Sequence, residues 1–544
     1  MYYNLLADFD YDSNELISLL KSYKKKNQYD PHKLITELLD IVFKKLTDDE
    51  RELLTLFAML VSDARYDEEL LKELLREINL TSRTSIQENI YPKLEAVLEK
   101  YPVFTNNKEI KSKYFHSVFS DYFIEKFRTA SNRKTFWQGK YFLTVIENID
   151  SSLEAEVSKQ FQEKVKYIVY ARNIIDFCLE YFDEIIGNED DIDIRSAKNF
   201  LNFFNSYSYM FIKTFNDYDE IELLQKLQGM VIASITKDKI KEKWVQKFPN
   251  DKFYYAQSQF YIISSRVELC LAVYGEQFSL SNYKNAVELC DKSRRALVHI
   301  NNEVEKNIRE SMYSYTKAMI LYKGALFFDS PNVSEYFKVN MNIRSKKELL
   351  KEAMKYIKIA EKNDKNDIQM EFNITDADYD FRYNIDSYNN LSDEIRIDDK
   401  IGSFLGTLEL KCIIKSQIVA LENRENEELR LLLKFTSNGF HSEAGEACRD
   451  DKMRFREVLL MQLLFTDDEN DKNRILDLLN SDYVKVKDFE DKRFIFLRAL
   501  AFKYIGINDV EGNNSYSLSE QEYLSRNNLN KRDLWNTLFK YIIS

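Results

Sequence analysis

Apolar residues recur at helical spacing along almost the whole chain, and residues that interrupt helices are scarce. The 544 residues include only 11 glycines and 5 prolines, and no proline follows Pro331. Turn-rich β architectures depend on glycine and proline, so this composition disfavours them. Apolar residues at i, i+3 and i+4 indicate amphipathic helices instead. The sequence therefore predicts an all-α protein, with almost no strand outside Val103–Tyr114 and Asp367–Lys400.

The stretch from Thr47 to Phe127 has the plan of a small domain. Thr47 and Glu50 form a capping box, in which the threonine oxygen accepts a free helix amide and the glutamate reaches back. Three amphipathic helices follow, and we expect their apolar stripes to form one small core. The stripe residues are Leu53, Leu56, Phe57, Leu60 and Val61, then Leu70, Leu71, Leu74, Leu75 and Ile78, then Ile90, Leu94, Val97 and Leu98.

The apolar period changes after the third of these helices. Pro102 ends the helix. The segments Val103–Thr105 and Ile110–Tyr114 flank Asn106 and Asn107, which predicts a two-stranded wing with a tight turn. Helical spacing then returns in an aromatic closing helix, with Phe115, Val118, Phe119, Tyr122, Phe123 and Phe127 on one side.

Helix, helix, helix, wing, helix is the order of a winged-helix domain. The segments LTDDERELLTLFAML and KYFHSVFSDYFIEKF resemble the winged-helix module that follows the ATPase core in bacterial STAND-type NTPases. In that family a histidine, matched here by His116, can sense the nucleotide, and the resemblance implies bacterial signalling or anti-phage defence. The chain contains no phosphate-cradling GxxxxGK[ST] loop. We therefore expect no cofactor and no ATP hydrolysis.

Local segments of the remaining chain resemble tetratricopeptide repeats. YKNAVELCDKSRRAL has Tyr283, Ala286 and Cys290 at the packing positions of a repeat's second helix. YTKAMILYKGALFFDS followed by KKELLKEAMKYIKIAEKNDKND resembles a further helix pair. The strict period of roughly 34 residues is not visible, so the repeats are irregular. Each hairpin has an apolar face too wide to bury alone, so we expect neighbouring hairpins to stack into a superhelix.

Changes in pattern divide the chain into five segments. Polar breaks separate the helices of the array, for example at Asn148–Ser152 and Asp329–Asn332. The segments are an N-terminal helical lead-in (1–46), a winged-helix-like module (47–130), a helical repeat array (131–366), an acidic insertion (367–400), and C-terminal helical repeats with a capping helix (401–544).

Candidate catalytic residues are few. Only 4 histidines occur, which disfavours a histidine metal site or a Ser-His-Asp triad, so we expect no metal. Arg294 and His299 have the R-x4-H spacing of HEPN ribonucleases, in which one helix supplies a charge clamp and an acid/base for RNA cleavage. The acidic neighbours Glu288 and Asp291 argue against a cleft that holds RNA. Ribonuclease activity is therefore the alternative to a non-catalytic role.

A locally basic segment follows the third helix of the module. It could grip a phosphate backbone, or its cations could pair with an acidic patch of the same chain. The nucleic-acid-binding candidates in this segment are Lys108, Lys111, Lys113, Arg133 and Lys134. Their use would make the protein a winged-helix regulator that binds nucleic acid.

Charge and cysteine usage limit the remaining functions. The net charge is −12, which disfavours nonspecific binding of phosphate over the whole surface. The 5 cysteines are scattered without a CxxC pair, as in a reduced cytoplasmic protein, and no signal peptide or membrane-spanning run is evident. The sequence therefore favours a cytoplasmic scaffold, adaptor or sensor subunit. We expect the concave face of its helical repeats to bind another protein or peptide.

Overall fold

The described part of the chain is almost entirely helical, which confirms the predicted all-α class. The structure is a computed structural model. It describes residues 31–61, 65–66, 68–75, 90–100, 105–106, 113–115, 117–131, 133–154, 161–186, 194–214, 218–235, 238–247, 250–274, 278–373, 399–422, 426–441, 458–466 and 468–480. The lead-in before Pro31, His116, most of the acidic insertion and the C-terminal capping helix therefore lie outside the described residues.

The chain forms two compact units. The first draws on Met1–Glu154, Lys164–Tyr207 and Met230–Trp244, and the second on Ala155–Glu163, Ser208–Gly229 and Val245–Ser544. Each helix is assigned below to the unit that holds most of its residues.

The first unit holds a short sheet among helices. Its described elements are α1 (Pro31–Lys45), α2 (Asp48–Leu60), β1 (Arg65–Tyr66), α3 (Glu68–Leu74), α4 (Tyr91–Lys100), β2 (Thr105–Asn106), β3 (Lys113–Phe115), α5 (Ser117–Thr129), α6 (Arg133–Trp137), α7 (Lys140–Glu154), α8 (Phe161–Glu180), α9 (Phe182–Ile186), α10 (Ile194–Thr214) and α12 (Asp238–Lys247).

The predicted capping box starts α2. Thr47 Oγ1 accepts the Glu50 amide at 3.2 Å, and the Glu50 carboxylate accepts the Thr47 amide at 2.8 Å. Such a cap contributes about 1 kcal/mol to helix stability. The helix then buries every residue from Leu53 to Leu60, and α4 and α5 pack against it. Ser120 on α5 donates to the Ala58 carbonyl at 3.1 Å. The first and third predicted stripes therefore pack together, and the closing helix α5 also packs against α2.

The sheet differs from the predicted two-stranded wing. It has three strands in the order β1-β3-β2, with both pairs antiparallel. Strand β1 was not predicted, since its two residues, Arg65 and Tyr66, show no alternation. Asn106 pairs with Tyr114 inside the ladder. The predicted tight turn at Asn106 and Asn107 is therefore wrong by at least one position.

The predicted break at Asn148–Ser152 is also wrong, because α7 runs through it to Glu154. The polar side chains of this segment bond to other elements of the first unit. Asn148 Nδ2 donates to the Leu74 carbonyl at 2.6 Å, and Ser206 donates to Asp150 at 2.7 Å. Tertiary hydrogen bonds therefore satisfy a polar run that resembles a loop in the sequence.

From Asn250 onward, the described helices of the second unit surround one continuous core. The described elements of this unit are α11 (Tyr218–Ile235), α13 (Asn250–Tyr274), α14 (Leu280–Leu297), α15 (Glu303–Leu326), α16 (Pro331–Met341), α17 (Lys346–Phe372), α18 (Asp399–Glu422), α19 (Glu427–His441), α20 (458–465) and α21 (Glu469–Asn480).

Helices α13 and α14 form an antiparallel pair, and α15 returns parallel to α13. Ser258 faces Ser293 at 2.9 Å, and Ser265 donates to the Ala286 carbonyl at 2.7 Å, so the two chains run in opposite directions. Two further hydrogen bonds join α13 and α15, from Arg309 to Gln259 at 2.7 Å and from Arg266 to Thr316 at 2.9 Å, and they show that these two helices are parallel. Each joins residues 50 positions apart. The offset is therefore constant along these two helices.

The same alternation continues through the later helices. Thr407 on α18 donates to Asp364 on α17 at 2.7 Å, and Lys400 donates to Glu371 at 2.8 Å, which makes α17 and α18 antiparallel. Helix α20 lies antiparallel to α19, since Ser437 donates to Gln462 at 2.9 Å and Arg430 to the Phe465 carbonyl at 3.2 Å. The described helices thus stack as successive hairpins.

Three sequence expectations for this unit need comment. The break is confirmed at Asp329 and Ser330, but the short helix α16 begins inside the predicted range, at Pro331, and lies between the two segments expected to form one hairpin. The acidic insertion begins later than predicted, because α17 continues through Asp367 to Phe372. Its other boundary is also shifted, since α18 begins at Asp399.

The interior of the array is tightly packed around Tyr283. Its ring is fully buried against Phe278 and Phe337, and its hydroxyl donates to the Ile320 carbonyl at 2.8 Å. Gly324 makes this arrangement possible. A Cβ there would lie 2.5 Å from both the Tyr283 hydroxyl and the Phe337 ring. A larger residue would therefore force the helices apart.

Candidate functional site

The proposed ribonuclease pair does not lie on one helix. Arg294 belongs to α14, which ends at Leu297, and His299 lies in the turn beyond it, where its amide donates to the Ala296 carbonyl at 3.1 Å. The His299 ring stacks on Tyr254 with ring centroids 4.4 Å apart. The expectation that one helix supplies both groups is therefore wrong, because the helix stops between them.

Arg294 and the surrounding cations already have contacts within the chain. The Arg294 guanidinium lies 6.0 Å from the centre of the Tyr313 ring. Lys292 pairs with Glu288 at 2.9 Å. The Glu288 carboxylate therefore lies near the candidate pair, and Lys292 is already paired with it. The described surroundings offer no purely positive cleft for RNA.

Arg133, a nucleic-acid-binding candidate, forms hydrogen bonds within the chain. Its Nε and Nη2 donate to the Glu184 carboxylate at 3.0 and 2.6 Å, and Nη1 donates to the carbonyls of Arg128 and Ala130 at 2.7 and 2.9 Å. The guanidinium also lies 5.0 Å from the centre of the Tyr181 ring. The side chain therefore fastens α6 to α9 and is a poor phosphate ligand.

Other cations of the basic segment behave in the same way. Lys126 pairs with Asp40 at 2.5 Å, and Arg128 pairs with Glu180 at 3.2 Å. Trp137 is fully buried and offers no surface for stacking on bases. Lys134 is half-buried on α6. Lys126, Arg128 and Arg133 therefore fit pairing within the chain better than binding to nucleic acid.

The remaining candidates of this segment are only partly covered by the structure. Lys108 and Lys111 lie outside the described residues. Lys113 is described only as a backbone position of β3, where it pairs with Tyr66. The contribution of these three lysines to nucleic-acid binding therefore stays a prediction.

The described residues contain no group of three or more His, Cys, Asp or Glu side chains placed to hold a metal ion. The thiols of Cys178, Cys270, Cys290 and Cys412 are all buried, and burial raises the pKa of Cys290 to about 12. Such a thiol is largely protonated near neutral pH and is a weak nucleophile. Among the described helices, none is both long and apolar enough to cross a membrane.

A row of lysines on α17 is a feature that the sequence reasoning missed. The row consists of Lys347, Lys351, Lys355, Lys358, Lys362 and Lys365. Intervals of three and four residues place side chains on one stripe of a helix. The segment KKELLKEAMKYIKIAEKNDKND contains this lysine spacing together with the apolar spacing that predicts a packing helix.

The carboxylates in the C-terminal half of the same helix contact α18. Glu361 pairs with the buried Lys411 of α18, and Asp367 and Glu371 both pair with Lys400, at 3.7 and 2.8 Å. The apolar core positions of α17, among them Ala353 and Ala360, face the same interior. In its C-terminal half, helix α17 therefore places carboxylates toward α18 and leaves Lys358 and Lys362 on the exposed side.

Asp364 lies at the centre of this inner face. Ser311 on α15 and Thr407 on α18 both donate hydrogen bonds to its carboxylate. Burial raises the pKa of Asp364 to about 6, although those two hydrogen bonds act in the opposite direction. Both donors are neutral hydroxyls, and no cation among the described residues forms an ion pair with this carboxylate. The group is a structural junction of three helices.

The outward lysines differ in how they are engaged. Lys347 and Lys351 lie 2.8 and 4.0 Å from the Glu422 carboxylate of α18, and Lys355 pairs with Glu352 one turn away. Among the residues that the structure describes, no carboxylate lies within ion-pair distance of Lys358 or Lys362, and both side chains are exposed. The middle of the row is therefore available to an external anion.

Comparisons with known proteins give no match: no family model, no curated protein and no solved structure is significantly similar to this chain.

Proposed function

We propose that the protein is a non-catalytic recognition scaffold, acting as an adaptor or sensor subunit whose helical array binds another protein or peptide. The observation that carries this proposal is the stacked hairpin arrangement of α13 to α20 around one core. Arrays of this kind present long surfaces composed of many side chains, which suits protein binding. Arg294 and His299, the residues of the alternative ribonuclease hypothesis, contact the aromatic rings of Tyr313 and Tyr254 in the same chain.

A tetratricopeptide-like superhelix is the form of array that we propose. Antiparallel pairs followed by a parallel return, as in α13, α14 and α15, support it. The spacing departs from that repeat, since the constant offset is 50 residues where the family period is roughly 34. The lengths of α13 (25 residues) and α15 (24 residues) account for part of the extra length.

A winged-helix-like module is our proposal for residues 47–130. The observed element order, α2-β1-α3-α4-β2-β3-α5 with a β1-β3-β2 sheet, supports it. By analogy with STAND-type proteins, we place the chain in bacterial signalling or anti-phage defence in the cytoplasm. The same module supports a second candidate function, a regulator that binds nucleic acid. The internal pairing of Arg133 and Arg128 weakens that candidate.

The experiment is an affinity purification of the full chain from its source cells, with and without nuclease treatment. We expect a protein in stoichiometric amount that stays bound after nuclease and is displaced by excess untagged chain. Recovery of nucleic acid alone would contradict the scaffold and favour the regulator. RNA cleavage by the purified chain that is lost in His299→Ala would favour the ribonuclease.

A further inference from the structure

The lysine row of α17 forms a straight positive ridge on an acidic protein. From Lys347 to Lys365 it extends about 27 Å, at a rise of 1.5 Å per residue. The ridge is the side of the helix opposite its core positions Ala353, Ile357 and Ala360. The positive charge of the ridge is local to it, whereas the whole chain has a net charge of −12.

The charge balance of the chain favours a short anionic partner over a nucleic-acid backbone. All six cations are lysines, which attract carboxylates and phosphates alike as compact charges. A long polyanion would be repelled by the net negative charge elsewhere on the chain. A short anionic element that contacts only the ridge avoids this repulsion.

Exposed apolar side chains line one flank of the ridge. Ile359 is 41% exposed and Met370 is 51% exposed. At 100° per residue, these two lie on the same side of the lysine row. A single exposed apolar residue is ordinary, but two beside a charged row match an amphipathic partner with an acidic and an apolar stripe.

We propose that the lysine row of α17 is the docking site for an acidic amphipathic helix of a partner protein. Its carboxylates, spaced three and four residues apart, would meet Lys351, Lys358 and Lys362, and its apolar stripe would cover Ile359 and Met370. A partner helix of about 18 residues matches the length of the ridge. This inference rests on the proposed scaffold function and specifies the partner chemistry.

The test uses a synthetic helical peptide of about 20 residues, long enough to span the ridge, with glutamates in one row and leucines beside it. Its binding to the full chain is followed by fluorescence anisotropy. A peptide of the same composition in scrambled order is the comparison probe, together with single-stranded and double-stranded DNA and RNA oligonucleotides. We expect the ordered peptide to bind most tightly, with an affinity that falls as salt is raised.

Two double variants isolate the ridge. Lys358→Gln with Lys362→Gln removes its two cations that lack a described carboxylate. Lys306→Gln with Lys338→Gln removes the same charge from other exposed positions of the array, where each lysine has a partner three residues away. We expect the first pair to weaken peptide binding about fivefold to tenfold and the second to change it by less than about twofold.

Equal affinity of the two double variants would overturn the inference, as would tighter binding of an oligonucleotide than of the ordered peptide. Neither result would remove the scaffold function, which depends on a protein surviving nuclease treatment in the purification above. Conversely, failure of that purification to yield a protein would remove the scaffold while leaving the peptide measurement interpretable.

Discussion

The basic segment of the first unit and the lysine row of the second show opposite uses of positive charge. In the first, Lys126, Arg128 and Arg133 each reach a carboxylate of a sequence-distant element. In the second, the C-terminal half of α17 turns its carboxylates toward α18 and leaves Lys358 and Lys362 exposed. Clustered charge in a sequence therefore does not identify a binding surface. The periodicity of the charges along a helix, relative to its core side, is more informative.

The largest effect is expected at Gly324, in the array that presents the lysine row. Gly324→Ala places a Cβ against Tyr283 and Phe337, so we expect destabilisation of about 2 kcal/mol, partly offset by the better helix propensity of alanine. Thermal denaturation measures it. The matched control is Gly402→Ala, where a Cβ meets nothing within 4 Å and stability should rise by up to about 1 kcal/mol. Similar losses in both variants would disprove the close packing.

Asp364→Asn probes the inner, anionic side of α17. The pKa of Asp364 is raised from 3.8 to about 6 by burial. For a carboxyl with a raised folded-state pKa, the stabilising contribution is present below about pH 4 and is lost as the pH rises through about 6. We therefore expect the variant to be more stable than wild type by about 2 kcal/mol at pH 8, with little difference at pH 4.

The control variant for Asp364→Asn is Asp291→Asn, measured at the same two pH values. That change removes the carboxylate that accepts from the buried Lys317 ammonium group at 2.7 Å, so it should destabilise at pH 8. A loss of stability in Asp364→Asn as large as in Asp291→Asn would contradict the assignment of Asp364 as an uncompensated buried carboxyl. Thermal midpoints at both pH values decide it.

Arg133→Gln tests whether the basic segment is structural. Loss of the bonds to Glu184 and to two backbone carbonyls should lower stability by about 1 kcal/mol. Arg294→Gln is the matched arginine control, and its exposed ring contact should be worth less than about 0.5 kcal/mol. An Arg133→Gln protein with unchanged melting but weaker binding to DNA would reverse our interpretation of this segment.

The smallest effect on stability is expected on the lysine row itself. Lys358→Gln with Lys362→Gln should change the free energy of unfolding by less than about 0.5 kcal/mol, because glutamine has a similar helix propensity and no described ion pair is lost. Chemical denaturation would check this. A substantial loss of stability would mean that these lysines hold the fold together, as Arg133 does, and the contrast between the two regions would disappear.

Local sequence signals predicted much of the helical framework. The capping box at Thr47 and the apolar stripe of α2 depend only on neighbouring residues, and both are confirmed. Tyr283, Ala286 and Cys290 are buried, as their spacing predicted. Such features are readable because helical periodicity links residues three or four positions apart.

Features that depend on distant partners were not predictable. The break at Asn148–Ser152 failed because its polar groups bond to Leu74 and Ser206, far away in sequence. Glu184 is the partner of Arg133 from 51 residues away, so the basic segment appeared free. The end of α14 between Arg294 and His299 likewise could not be inferred from a six-residue motif.

Site-specific photo-crosslinking in the source cells tests the proposed recognition function most directly. A benzoylphenylalanine is placed at Ile359, beside the lysine row, or at Val169 on α8, which is 54% exposed in the first unit. The account predicts a discrete protein adduct at Ile359 that is lost when Lys358 and Lys362 are changed to glutamine, and no such adduct at Val169. A protein adduct confined to Val169, or a nucleic-acid adduct at Ile359, would contradict it.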